Sequence, residues 1–248
     1  MKVGVFDSGV GGLTVVKSLL EDQLFEEIIY YGDTARVPYG IKDKNTIIRY
    51  GLEAIEFFKN FELDLIIVAC NTVSAYALEE MRENSNSPII GVVEAGILAT
   101  SNALPFNKDA NILILGTKAT TNSKSYEIGL KKMNFYNLEA KATSLFVPLV
   151  EEGIYDGEIV DATFQHYFKG ITTPNAIILG CTHFPLLSEA LFNYFPKKTL
   201  FIHSGDAIVQ YLKNEFEFKY NYKEPKIKFF ASENPEALRT IAKKWLNL

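Results

Sequence analysis

Cys70 and Cys181 are the only two cysteines in 248 residues. Each closes an apolar, β-type run. The first reads Ile66-Ile67-Val68-Ala69-Cys70-Asn71-Thr72, the second Ile177-Ile178-Leu179-Gly180-Cys181-Thr182-His183. A thiol with a pKa near ~8.5 is an acid when protonated and a base when ionised. Two thiols in matched settings suit a reaction that removes a proton from one face of a carbon and returns one to the other. Such a step inverts a stereocentre. Asp7, at the end of the first apolar run, and His183, two residues past Cys181, are further groups able to move protons. A helix is predicted after each cysteine, and its dipole would favour the thiolate.

Blander readings compete. A lone cysteine at a strand end is most often a small buried hydrophobe. An even cysteine count permits a disulfide, although a reducing compartment disfavours it. Cys181-Thr182-His183 lacks the paired spacing of a zinc site, so no metal is expected. Cys181 with His183 would also serve a thiol hydrolase that leaves Cys70 idle. A non-catalytic, bilobed binding protein is a further alternative. His166 and His203 have no comparable neighbours.

The elements that must carry these residues alternate. Lys2–Phe6, Ile28–Tyr31, Leu65–Ala69 and Ile89–Val93 read as strands, with helices over residues 13–20, 43–60 and 74–83. The pattern restarts with Ile112–Leu115, Ala176–Leu179 and Leu200–Ile202, and ends with Ile227–Ala231 and a helix over 235–247. Continuous apolar strands alternating with helices indicate parallel sheets covered on both faces. A shift of 110 or 111 lays the second half on the first, with Cys70 on Cys181 and Val37-Pro38 on Val147-Pro148. The expected fold is α/β, with two similar domains related by a pseudo-twofold and a site in the cleft between them. The strand ends are where such sheets bind ligands.

Asp7-Ser8-Gly9-Val10-Gly11-Gly12 invites comparison with a phosphate loop, but Thr14 stands where the third glycine of G-x-G-x-x-G belongs. A tight turn, or a backbone N–H cradle for a carboxylate, fits better. The hydroxyl-rich run from Thr117 to Ser125 reads as a helix-capping loop or as a second carboxylate site. Net charge is −5 without a basic stripe, which argues against nucleic acid and anionic membrane surfaces. No apolar leader precedes the first strand and no apolar run is long enough to span a bilayer, so a cytoplasmic location is expected.

Six segments resemble the glutamate racemases, within the wider aspartate/glutamate racemase superfamily. They are Phe6-Asp7-Ser8-Gly9-Val10-Gly11-Gly12, Tyr31-Gly32-Asp33-Thr34-Ala35-Arg36-Val37-Pro38-Tyr39-Gly40, Val68-Ala69-Cys70-Asn71-Thr72, Gly91-Val92-Val93-Glu94, Leu115-Gly116-Thr117-Lys118-Ala119-Thr120 and Leu179-Gly180-Cys181-Thr182-His183-Phe184-Pro185-Leu186. The resemblance implies cofactor-independent exchange of L- and D-glutamate for peptidoglycan. Cys70 and Cys181 would move the α-proton, assisted by Asp7 and His183. Substrate would be held by Asp7, Ser8, Tyr39, Gly40, Asn71, Thr72, Thr117, Thr120, Thr182 and His183. The resemblance also implies that residues 208–248 return to the first domain (residues 1–94), leaving 95–207 as the second. It implies a homodimer as well. Glu94-Ala95-Gly96 departs from the family's usual Glu-Pro turn. The last helix aligns Leu238, Ile241, Trp245 and Leu248, a face expected to pack on the first domain.

Overall fold

Strands that are apolar at every position need cover on both faces, and the chain meets this with two parallel sheets sharing one central core. The computed structural model describes residues 1–218 and 221–247; Leu248 lies outside the described residues. The first sheet contains β1 (Lys2–Asp7), β2 (Glu27–Gly32), β3 (Leu65–Val68), β4 (Ile89–Gly91) and β9 (Lys226–Ala231), in the order β4-β3-β1-β2-β9. The second contains β5 (Ile112–Gly116), β6 (Leu138–Ala142), β7 (Ala176–Gly180) and β8 (Leu200–His203), in the order β6-β5-β7-β8. Aligned on their first strands, the two sheets have the same order, with β9 added to the edge of the first. Every pairing is parallel.

The strand period of two sorts side chains between cores. Val3, Val5, Leu65 and Ile67 join Ile112, Ile114 and Ile178 in the central core. Their neighbours Phe6, Ile66 and Val68 face an outer core with Ile47, Ile55 and Phe58. Leu113, Leu115, Ile177 and Leu179 face the other outer core, with Phe146, Phe164 and Phe184. Each sheet is thus wedged between its own helices and a layer common to both.

That common layer is itself pseudo-symmetric. The helix Val92–Ala103 follows β4, the helix Ser204–Glu215 follows β8, and the two pack on one another. Leu13–Glu21 packs on the second of these much as Ser125–Lys132 packs on the first. The expected divisions at 94/95 and 207/208 fall inside these two helices. The helix Pro235–Leu246 opens on Asn234, whose side chain accepts from the Ala237 N–H at 3.2 Å. It buries Leu238, Ala242 and Leu246, with Ile241 and Trp245 half-buried against the central core.

Some elements differ from the sequence expectation. β6 was not expected: Leu-Glu-Ala-Lys-Ala carries helix-forming residues and no apolar run, and it sits on a sheet edge. Phe146–Glu151 is a helix, with Pro148 in the first turn, where the missing N–H costs no intrahelical bond. The helix expected over 74–83 is two short ones, Asn71–Tyr76 and Leu78–Glu83. The strand expected to reach Val93 ends at Gly91, and Glu94 lies in the first turn of the next helix. There its carboxylate takes both arms of Arg82, at 2.9 and 2.6 Å, and the Glu-Ala-Gly turn is ordinary helix. Among the described residues no helix is long and apolar enough to cross a membrane.

Candidate active site

Both cysteines sit just beyond the carboxyl ends of equivalent strands, Cys70 after β3 and Cys181 after β7, and both are free. They line one cleft between the two sheets, together with Ser8, Tyr39, Gly40, Asn71, Thr72, Thr117, Thr182 and His183. The cleft is closed down: Cys70 is 5% exposed and Cys181 7%.

The surroundings of the two thiols differ. Cys70 is the N-cap of Asn71–Tyr76, and its thiol donates to Ser8 Oγ at 3.4 Å. Burial, then the neighbouring Asp7 carboxylate, pushes this thiol up to about 12, against the Ser8 and Val73 N–H hydrogen bonds. The expectation that a helix N-terminus would favour the thiolate therefore fails at Cys70. Desolvation and a nearby anion outweigh the dipole of a helix only six residues long.

Cys181 instead has an imidazole beside it. His183 Nδ1 lies 3.8 Å from Cys181 Sγ, and His183 Nε2 lies 3.1 Å from Glu151 Oε1. Burial works against the imidazolium. The hydrogen bonds to Cys181 and Glu151, with the charges of Cys181 and Asp7, overcome it and lift His183 to about 10. Glu151 was not singled out from the sequence. It ends the helix Phe146–Glu151, is 32 residues from its partner and belongs to no local motif.

Asp7 is fully buried and does not line the cleft. Its Oδ2 accepts the Gly9 N–H at 2.9 Å, and its Oδ1 accepts the Thr182 hydroxyl at 3.2 Å. Burial raises its pKa, opposed by His183 and by the Gly9, Gly12 and Thr182 hydrogen bonds. The glycine loop is therefore a cradle for a carboxylate, but the carboxylate is the chain's own. Sequence reasoning paired Asp7 with Cys70; the structure shows only a through-space effect there, and its hydrogen bond crosses to the Cys181 turn.

The hydroxyls expected to hold substrate form a ring. Thr72 Oγ1 is 3.0 Å from Thr117 Oγ1 and 3.1 Å from Thr120 Oγ1, and the last two are 3.0 Å apart. Thr117 also caps its helix, accepting from the Thr120 N–H at 3.1 Å. Thr120 is buried behind the cleft wall rather than in it. The Asn71 side chain is turned away: its Nδ2 donates to Ser204 Oγ at 3.1 Å and its Oδ1 accepts from Tyr126 OH at 2.6 Å. The Tyr39 hydroxyl donates to buried Asp33, which also takes Arg36 Nε at 2.6 Å. Val37, Pro38, Val147, Glu151 and Gly180 complete the wall. Among the described residues no group of three or more His, Cys, Asp or Glu is placed to hold a metal ion.

Known proteins resemble this chain in sequence and in fold. The profile of the family described as Asp/Glu/Hydantoin racemase matches residues 14–212. A glutamate racemase of a Nitratiruptor species is 58% identical over 246 residues, 99% of this chain and 96% of that protein. The crystal structure of glutamate racemase from Campylobacter jejuni subsp. jejuni superposes with a TM-score of 0.98 at 54% identity, covering 100% of this chain and 99% of that one. That of Francisella tularensis subsp. tularensis, in complex with D-glutamate, gives 0.83 at 32%, covering 100% and 94%.

Proposed function

The chain belongs to the Asp/Glu/Hydantoin racemase family, and we propose that it interconverts L- and D-glutamate by proton transfer between two thiols. The observation that carries this is the pairing in one closed cleft of two free cysteines, each with its own polar partner. Full-length relatives named for this activity, one of them solved with D-glutamate, support the choice of substrate.

The chemistry follows from the charges. Cys70 keeps its proton, because burial and Asp7 both oppose the thiolate. Cys181 has the His183 imidazolium at hand to balance a negative sulfur, and Glu151 holds that ring by its other nitrogen. An amino acid lying between the sulfurs loses its α-proton to the ionised thiol on one face. The resulting carbanion takes the proton of the thiol on the opposite face. The Cα–H bond breaks on one side and forms on the other, and the two cysteines exchange protonation states. Turnover of the opposite enantiomer runs the steps backwards. A carbanion beside a carboxylate needs that carboxylate's charge met, and the Thr72 and Thr117 hydroxyls and Ser8 supply donors on the cleft wall. Excluding water strengthens each of these contacts and prevents stray protonation.

No group other than these side chains enters the scheme, and neither a metal nor a cofactor is invoked. The two domains are taken as residues 1–94 with 208–248, and 95–207. Supply of D-glutamate to peptidoglycan precursors in the cytoplasm, and assembly as a homodimer, extend the same reading. The test is the circular dichroism of L- and of D-glutamate solutions over time. Both should decay to zero without added cofactor, and a steady signal would sink the proposal. Equal or faster decay of aspartate would move the substrate to the other branch of the family.

The Cys181–His183–Glu151 relay also has the nucleophile, base and orienting acid of a thiol hydrolase. That reading leaves Cys70 without a role. Cys70→Ala would keep full activity in a hydrolase and lose it in a two-thiol racemase.

A further inference from the structure

Thr14 is the residue that spoils the nucleotide-loop motif, and the proposed reaction leaves it without a part. Its place in the fold supplies one. The Thr14 hydroxyl is shared between two carbonyls, Gly11 O at 3.0 Å in its own loop and Thr182 O at 2.9 Å. The second bond spans 168 residues of sequence and ends on the backbone between Cys181 and His183. Thr182 in turn sends its own hydroxyl back to Asp7. The loop after β1 and the turn after β7 are therefore stitched in both directions, backbone and side chain.

Gly11 lets them meet. A Cβ there would collide with Thr182 Oγ1 and lie 2.6 Å from His183 Nδ1. The surface that receives the Cys181 turn is thus a bare peptide flanked by one hydroxyl. Both thiols are almost buried, so the cleft has to open for substrate to reach them, and His183 Nδ1 has to face the sulfur again when it closes.

We propose that Thr14 is a positioning residue of the racemisation, whose hydroxyl seats the Cys181-Thr182-His183 turn against the Asp7 loop each time the cleft closes. This rests on the glutamate racemase reading of the site. Loss of the hydroxyl leaves the Thr182 carbonyl without that donor and loosens one thiol's setting while leaving Cys70 and Ser8 as they are.

The experiment uses Thr14→Val, Thr14→Ser and the wild type, with α-deuterated L- and D-glutamate as substrates. Thr14→Val should lose about tenfold in kcat/KM, the size of one hydrogen bond on the closed state, and Thr14→Ser should recover to within about twofold. Because the equilibrium constant of a racemisation is unity, kcat/KM stays equal in both directions and cannot reveal a one-sided defect. The isotope effects can. In Thr14→Val the α-deuterium effect should rise for the enantiomer that yields its proton to Cys181 and fall for the other, the same pair of changes as in His183→Asn. If Thr14→Val does not fold, Thr14→Ala carries the same prediction.

A fall in kcat/KM with unaltered isotope effects in both directions would mean a merely structural residue and overturn the proposal. So would a serine variant as impaired as the valine, or a valine variant equal to wild type. A wild type that does not racemise glutamate sinks both this role and the functional reading. An active wild type with a normal Thr14→Val removes only the role.

Discussion

The Cys70 and Cys181 half-sites stand on equivalent strands of two sheets with the same strand order, yet they are dressed oppositely. Cys70 has a neutral hydroxyl as hydrogen-bond partner and a carboxylate as its charged neighbour. Cys181 has a histidine lifted to about 10, backed by a glutamate. The shared strand order explains why both sulfurs reach one cleft. It does not set the charges beside each sulfur; those come from the two or three side chains around it. A racemase needs its acid and its base to differ at any instant while remaining interchangeable over a cycle. Symmetric backbone with asymmetric charge is one way to meet both demands.

The comparison is broken most severely by removing a sulfur. Cys70→Ala and Cys181→Ala should each abolish racemisation from either enantiomer, a loss of at least about 10²–10⁴-fold, read by circular dichroism. Turnover surviving in one of them would show that the thiols are not a pair. Next come the charged neighbours. Asp7→Asn and His183→Asn should each cost about 10²-fold in kcat/KM. They should shift the α-deuterium isotope effects of L- and D-glutamate in opposite senses, because Asp7 bears on Cys70 through its charge and His183 on Cys181 through its hydrogen bond. Identical shifts would erase the distinction between the half-sites.

Glu151→Gln should cost less, about tenfold, since it keeps a hydrogen-bond acceptor for His183 but removes the charge. The pH profile should register it, with the limb set by His183 moving to lower pH; an unmoved limb would take Glu151 out of the relay. The smallest effect is on stability. His183 carries a higher pKa folded than the ~6.5 of an unfolded histidine, so its contribution is whole below that value and is lost as pH rises toward about 10. Wild type should lose denaturation midpoint across that window more steeply than His183→Asn, and parallel slopes would contradict the assigned ion pair.

What could be read from the sequence follows from how local each signal is. β1, β3, β5 and β7 are apolar at nearly every position, so burial on both faces is written into their composition. β6 shows one leucine and then alternating charge and alanine, because an edge strand needs little burial. The cysteines were legible as matched strings at one offset. The Thr72, Thr117 and Thr120 cluster was legible only as separate hydroxyls. Nothing short of tertiary structure joins Thr72 to a loop some 45 residues later. Glu151 escaped notice, and Thr14 was read only as a break in a motif, for the same reason: each reaches the Cys181 turn from a distant part of the chain. Asn71 and Tyr39 line the cleft, but their polar ends are spent inward on Ser204, Tyr126 and Asp33. Proximity in sequence to a reactive residue says where a backbone goes, and much less about where a side chain points.

The threonine ring has a consequence of its own. Its three oxygens stand 3.0–3.1 Å apart, longer than the usual hydroxyl–hydroxyl spacing of about 2.7–2.8 Å. Each hydroxyl owns one proton, and in a closed ring all three are used within it, running either clockwise or anticlockwise. A carboxylate arriving in the cleft would recruit Thr72 and Thr117, the two on its wall, by turning O–H bonds outward while every carbon and oxygen stays in place. Such a receptor is a set of rotors that answers to charge and ignores handedness. It would grip the part of the molecule that both mirror images share and leave the chiral centre free to turn over.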